Sequence, residues 1–159
     1  FHGDIGSQKG LIFSPELFRR YLKPGYKRLF RACRNAGAHV WYSSDGNLLE
    51  IVDDLVECGI SCHDPQLRPN TLDGIVQAYR GRVCAIVDLD QQMLPFCKPA
   101  DVIDQMEQVM NAMFMPEGGL MLFTSPSADV PFENIEALCR GWSSLCLCST
   151  PKIIDSPIR

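Results

Sequence analysis

One feature constrains this chain more than any other: segments of helical period alternate with short continuous apolar runs, and most of the runs follow a glycine. The first helical segment, 14–35, opens with Ser14-Pro15-Glu16, a serine N-cap with proline at the first helical position. It carries Leu17, Phe18, Tyr21, Leu22, Leu29, Phe30 and Cys33 on its apolar side. Pro24 removes an amide donor inside that segment and predicts a kink or a break there. Gly37 fits a helix C-cap, and Ala38-His39-Val40-Trp41-Tyr42 reads as a buried strand. The same grammar recurs: a helix through Leu48, Leu49, Val52, Leu55 and Val56 ends near Gly59 and leads into a strand at 60–62. A helix over 71–79 precedes a strand at 83–87. A helix over 99–114, with Val102, Met106, Val109 and Met113 on one stripe, precedes a strand at 120–123, and a last helix spans 131–145.

Parallel strands buried on both faces, each followed by a crossover helix, define an α/β fold that is either a doubly wound sheet or a barrel. No G-x-G-x-x-G follows any of the strands, which removes the main reason to choose a nucleotide-binding sheet. The pattern therefore predicts part of a TIM-type (β/α) barrel, about half of the ~250 residues such a barrel typically needs. The opening F-H-G-D-I-G-S-Q reads as the end of a strand and its loop, and the close has lost the amphipathic pattern. The expected organisation is a partial barrel domain over 1–145, the carboxyl-terminal half of the fold, and an irregular tail over 146–159.

Composition narrows the function classes. With 46% hydrophobic and 21% charged residues and a net charge of −4, the 159 residues match one ordinary globular domain. Lys and Arg are scattered, which argues against a nucleic-acid partner, and no apolar stretch approaches the ~20 residues of a membrane span. Of the eight cysteines, Cys33, Cys58, Cys62 and Cys84 lie in or beside apolar runs and no C-x-x-C occurs. They read as reduced, buried thiols, which places the protein in a reducing cytoplasm. Only Cys146 and Cys148, with Cys139 nearby, form a local cluster of metal-ligating type, and no histidine is near them.

In a barrel of this kind, polar residues just after each strand line the mouth where chemistry occurs. They are Asp4, Ser7 and Gln8; Ser43, Ser44, Asp45 and Asn47; His63, Asp64 and Gln66; Asp88, Asp90 and Gln91; and Thr124, Ser125 and Ser127. Aspartates converging from different strands could hold a cation, accept hydrogen bonds from N–H groups, or share protons with raised pKa values. Plainer roles compete: Asp64 before Pro65 and Asp129 near Pro131 read as turn or cap residues, and Asn47 as a cap after Gly46. His63 at a strand end reads as a packed side chain before a catalytic one, His39 lies at the stability end of its strand, and Met106, Met110 and Met113 read as core.

The runs G-D-I-G-S-Q-K-G-L-I-F-S-P-E-L-F, A-H-V-W-Y-S-S-D-G-N, V-D-L-D-Q-Q-M-L-P-F, P-E-G-G-L-M-L-F and V-P-F-E-N-I-E-A-L, in that order over residues 3–145, resemble the uroporphyrinogen decarboxylase superfamily. The resemblance implies a TIM-type barrel and one of two activities: decarboxylation of a tetrapyrrole, or transfer of a methyl group between a corrinoid protein and a thiol. In the zinc-dependent methyltransferases of that superfamily two ligands occupy the positions of Ser43 and Asp45, and a third falls near Thr124 or Ser125. Those positions carry no thiol or imidazole here, so zinc is not expected. The decarboxylase branch has a histidine after the strand at 120–123, where this chain reads T-S-P-S. Tetrapyrrole decarboxylation needs no cofactor, only a charged cradle that protonates a pyrrole and releases carbon dioxide.

The leading expectation is thus a uroporphyrinogen decarboxylase-like enzyme without cofactor, acting on a small molecule of tetrapyrrole type. Asp4 and Asp45 would be catalytic, with Gln8, Ser43, Gln66, Asp88, Asp90 and Ser125 holding substrate. The alternatives are a corrinoid-dependent methyltransferase, with a corrinoid protein as partner, and a non-catalytic fragment whose unpaired strand edges favour a homodimer.

Overall fold

The structure is a computed structural model that describes residues 1–148, with side chains through residue 145. The chain opens beside what becomes the sheet: His2 bridges Ser43 in parallel sense, as the reading of the first residues as a strand end requires. A short antiparallel hairpin follows, β1 (Gly6–Ser7) with β2 (Gly10–Leu11), which no pattern in the sequence announced.

The segment that Pro24 was expected to break is broken. It consists of α1 (Pro15–Leu17), a π-helical turn (Phe18–Leu22) and α2 (Lys23–Asn35). Ser14 caps α1, its Oγ accepting from the Leu17 amide at 3.4 Å, and Pro24 sits in the first turn of α2, where its missing N–H costs nothing. Then come β3 (Trp41–Tyr42), a 3-10 turn (Leu49–Ile51), α3 (Val52–Cys58), β4 (Cys62–His63), α4 (Leu67–Asn70) and α5 (Leu72–Tyr79). The chain continues through β5 (Cys84–Asp88), α6 (Pro99–Met113), β6 (Leu120–Phe123) and α7 (Phe132–Cys148). Helix α7 thus takes in the first residues of the expected tail, and 149–159 lie outside the described residues.

The four longer-range strands form one parallel sheet in the order β3-β4-β5-β6. Spatial order equals chain order and each connection carries a helix, which is the winding of a (β/α) barrel; a doubly wound sheet reverses its order at a switch point. The barrel is open, since among the described residues β6 pairs only with β5. The register aligns Tyr42, His63, Ala85 and Leu120 in one row. Tyr42, His63 and Ala85 are buried under the helices, with Phe30 of α2 and Tyr79 of α5 packed over that face. Strand side chains alternate between faces, so Trp41, Met121 and Phe123 belong to the concave inner face and are 52%, 55% and 45% exposed.

The helix layer locks to itself with one buried carboxylate. Asp54 of α3 accepts from Arg19 Nε at 2.9 Å and from Lys23 Nζ at 2.7 Å, tying α3 to the broken helix. Burial alone would raise the Asp54 pKa, but the two cations bring it below the ordinary carboxylate value. Met106 and Met113 are core, as their stripe predicts. No helix among the described residues is long and apolar enough to cross a membrane.

Candidate active site

Most residues proposed at the mouth lie in loops that leave the carboxyl ends of strands, while His63 and Asp88 are the last residues of β4 and β5, and two glycines decide how closely the first two loops meet. Gly46 has φ +88°, and a Cβ there would lie 2.4 Å from the backbone carbon of Gly6; a Cβ on Gly6 would lie 2.5 Å from the Asp45 carbonyl oxygen. Only two glycines permit that backbone contact. It is reinforced by the Asn47 amide donating to the Ser7 carbonyl at 2.8 Å, and it brings Asp4 to Asp45, whose amide donates to Asp4 Oδ1 at 3.2 Å. His2 Nε2 stands 3.5 Å from the same Asp4 oxygen.

The third loop clamps the second. Gln66 accepts from the Gly46 amide through Oε1 at 2.9 Å and donates from Nε2 to Asp45 Oδ1 at 3.0 Å, so one amide fixes both the turn and the carboxylate beside it. Asn70, buried at the end of α4, donates to the Gly46 and Gln66 carbonyls, both at 2.9 Å, and accepts from the Leu48 amide at 3.2 Å. Asn47 Oδ1 accepts from the Leu49 amide at 3.1 Å, a local turn bond one residue before the helical N-cap, which is Leu48 and not Asn47 as expected. Ser43 Oγ donates to Asp64 Oδ2 at 2.7 Å. Asp64 is therefore more than a turn residue: burial raises its pKa, and its Oδ1 is buried with no hydrogen-bond partner among the described residues.

The fourth loop holds the most perturbed acid. Asp88, 6% exposed at the end of β5, accepts from Gln91 Nε2 at 3.0 and 2.8 Å on its two oxygens. Burial raises its pKa to about 6; the Gln91 bond opposes the rise, and Asp45, Asp64 and Asp90 add to it. Asp90 is gripped by Arg68 through both oxygens, at 2.8 Å from Nε and 2.7 Å from Nη2, and its amide donates to Gln105 Oε1 at 3.0 Å. Gln8, Gln66, Arg68, Asp88, Asp90 and Gln91 surround a cleft of about 90 Å³. That volume suits a small reacting group; clefts that engulf a drug-sized ligand run to ~300–1,000 Å³.

Of the residues named from sequence, Gln8, Gln66, Asp88 and Asp90 thus share a cleft, Asp4 and Asp45 join them through hydrogen bonds, and Ser43 bonds Asp64 and His2 instead. Ser125 stands exposed on the loop after β6, and no hydrogen bond among the described residues joins it to the others. His63 does not reach the mouth. It lies in the outward row, fully buried, stacked on Tyr79 at 5.4 Å between ring centres and 6° between planes, and on Tyr42 at 5.9 Å. Neither ring nitrogen has a hydrogen-bond partner among the described residues, and burial lowers its pKa to about 3. Sequence reasoning missed Arg68, Asn70 and Gln105. Arg68 alone carried a signal, a cation two residues past a mouth glutamine. The side chains of Cys146 and Cys148 lie outside the described residues, so the cluster expected there is not described.

An open run of parallel strands, each crossed by a helix, with acids and amides gathered where the strands end, is the architecture of part of a (β/α) barrel. A methyltransferase from Methanosarcina mazei has such a structure: it matches 92% of this chain with a TM-score of 0.65 at 14% identity. The match covers 41% of that protein, so this chain spans about two-fifths of its length, and at that identity the likeness is one of fold. No family model matches the sequence, and no curated protein matches it.

Proposed function

We propose that the mouth built by Asp4, Ser43, Asp45, Asp64, Asp88 and Asp90 serves a methyl-transfer reaction to a small nucleophile such as a thiol, with Asp88 as the proton acceptor. The observation that carries the reading is Asp88 itself. A buried carboxylate with its pKa raised to about 6 is poised to take a proton at neutral pH, and its position at a strand end is where barrels place catalytic groups. The fold shared with a methyltransferase supports it.

The charge of the mouth favours this over tetrapyrrole decarboxylation, the other activity of the superfamily that the sequence resembles. A polycarboxylate tetrapyrrole needs cations to grip it. The cleft's one cation, Arg68, is already bidentate on Asp90, and the surrounding groups are acids and amides. A corrinoid, when bound, supplies a methyl group that can be displaced; the residues here would orient the acceptor and remove its proton. The oxygen donors at 43, 45, 124 and 125 do not make a thiolate-activating zinc site. Ser43 and Asp45 are engaged with Asp64 and Gln66, and no group of three metal-ligating side chains occurs among the described residues.

The test is an anaerobic assay of methyl transfer from methylcobalamin to an added thiol, run beside carbon dioxide release from uroporphyrinogen. Methyl transfer is expected, with a rate that rises as pH passes through about 6 and falls by ~10²–10⁴-fold in Asp88→Asn. Carbon dioxide release without methyl transfer, or no turnover of either kind, overturns the reading.

A further inference from the structure

At the opposite end of the sheet, Cys62 and Cys84 are register partners on the neighbouring parallel strands β4 and β5. Their row alternates with the buried Tyr42–His63–Ala85 row, so both side chains emerge on the concave face, on strands spaced ~4.8 Å apart. Both thiols are free and half-exposed. Burial, with the Cys62 thiol on the neighbouring strand adding to it, pushes the Cys84 thiol up to about 11. Both line a cavity of about 520 Å³, with Arg34 and Arg82 on its wall. Arg34 is anchored there by donating to Ser61 Oγ at 2.9 Å and to the Ala38 carbonyl at 3.2 Å.

We propose that Cys62 and Cys84 form a dithiol site for a soft, thiophilic centre that is satisfied by two sulfurs. Among the described residues no third His, Cys, Asp or Glu completes a metal-binding group. That suits a trivalent organoarsenical or a comparable two-sulfur acceptor, where zinc would ask for four ligands. Two adjacent thiols bind such a centre as a chelate, and the second sulfur adds at a high effective concentration set by the sheet. With an arsenoxide the chemistry balances without a redox step. Two S–H bonds and the arsenic–oxygen bond break, two arsenic–sulfur bonds form, and the oxygen leaves as water with both thiol protons. The site is separate from the acidic mouth, so its failure and the failure of the methyl-transfer reading are independent.

The experiment uses phenylarsine oxide on the reduced chain carrying Cys139→Ser, Cys146→Ser and Cys148→Ser, in excess glutathione, read by intact mass spectrometry. One equivalent is expected to bind despite the monothiol and to be removed by 2,3-dimercaptopropanol. Cys62→Ser or Cys84→Ser is expected to weaken it at least ~100-fold, while Cys33→Ser and Cys58→Ser leave it unchanged. Absence of the adduct, or its persistence in either key variant, overturns the site. Should a serine variant fail to fold, alkylation mapping of the parent decides: the arsenical must shield Cys62 and Cys84 together from iodoacetamide, and shielding of any other pair overturns the proposal.

Discussion

Among the described residues Asp88 gains no partner of opposite charge; burial, with Asp45, Asp64 and Asp90 adding to it against the Gln91 bond, raises its pKa above that of the unfolded chain. A group of that sign favours the fold at pH values below its unfolded pKa and works against it once pH rises through about 6. Asp88→Asn keeps an oxygen for Gln91 and removes the charge. It is expected to stabilise the chain by about 1 kcal/mol at pH 7.5 and by roughly half as much at pH 5, read as paired thermal melts, while methyl transfer is lost. Arg68 shields Asp90 from this cluster. Arg68→Gln would leave Asp90 unneutralised beside Asp88, and the midpoint of the rate–pH profile is expected to move upward; a downward move would mean that Arg68 acts elsewhere. His63 has the opposite sign. Its folded pKa of about 3 lies below the ordinary value, so its neutral form supports the fold above about pH 6.5 and that support is lost as pH falls. The loss between pH 7 and 5 is expected to be about 2 kcal/mol. His63→Phe, which preserves the stack on Tyr79, should flatten that part of the curve when the two proteins are melted side by side.

At the scale of elements, the site depends on three loops meeting: glycine backbone contacts join the first to the second, and the side-chain amides of Gln66 and Asn70 join the second to the third. Gly46→Ala would drive a methyl group into the Gly6 and Ser7 backbone at a positive φ. It is expected to cost ~2–4 kcal/mol and to separate Asp4 from Asp45, so activity should fall even where the chain stays folded. Asn70→Ala leaves the Gly46 and Gln66 carbonyls and the Leu48 amide without their buried partner. A loss of ~2–3 kcal/mol in denaturant melts is expected. A loss below ~0.5 kcal/mol would mean that water replaces the amide. The longer helices and the positions of all four strands of the parallel sheet were legible in the alternation of periods, and the breaking of the first helix was legible in Pro24, because both follow from local sterics and amphipathicity. The β1–β2 hairpin and α4 were not, since each is only a few residues long and is held by contacts to other loops.

Across the whole molecule, the helix-covered face of the sheet is the core and the concave face is open. Val87 is fully buried under the helices, whereas Met121, one strand over on the other face, is 55% exposed. Val87→Ala is expected to cost about 2 kcal/mol and Met121→Ala less than ~0.5 kcal/mol. Equal costs would show that the concave face is also packed in solution. The winding of the fold was written in the chain, because repeated strand–helix units without a dinucleotide fingerprint leave few ways to arrange a parallel sheet. The list of mouth residues was written there too, because a barrel exposes whatever follows each strand. Tertiary structure alone decided which of them act together. Gln66 reaches Asp45, Asp88 is buried among Asp45, Asp64 and Asp90, and Ser125 stands apart, because the loop conformations depend on glycine contacts and amide clamps between residues ~20–40 apart in sequence. It alone turned His63 away from the mouth and set Cys62 beside Cys84, because which face of the sheet a strand residue joins, and which residue lies opposite it, is fixed by register with the neighbouring strand and not by its own sequence.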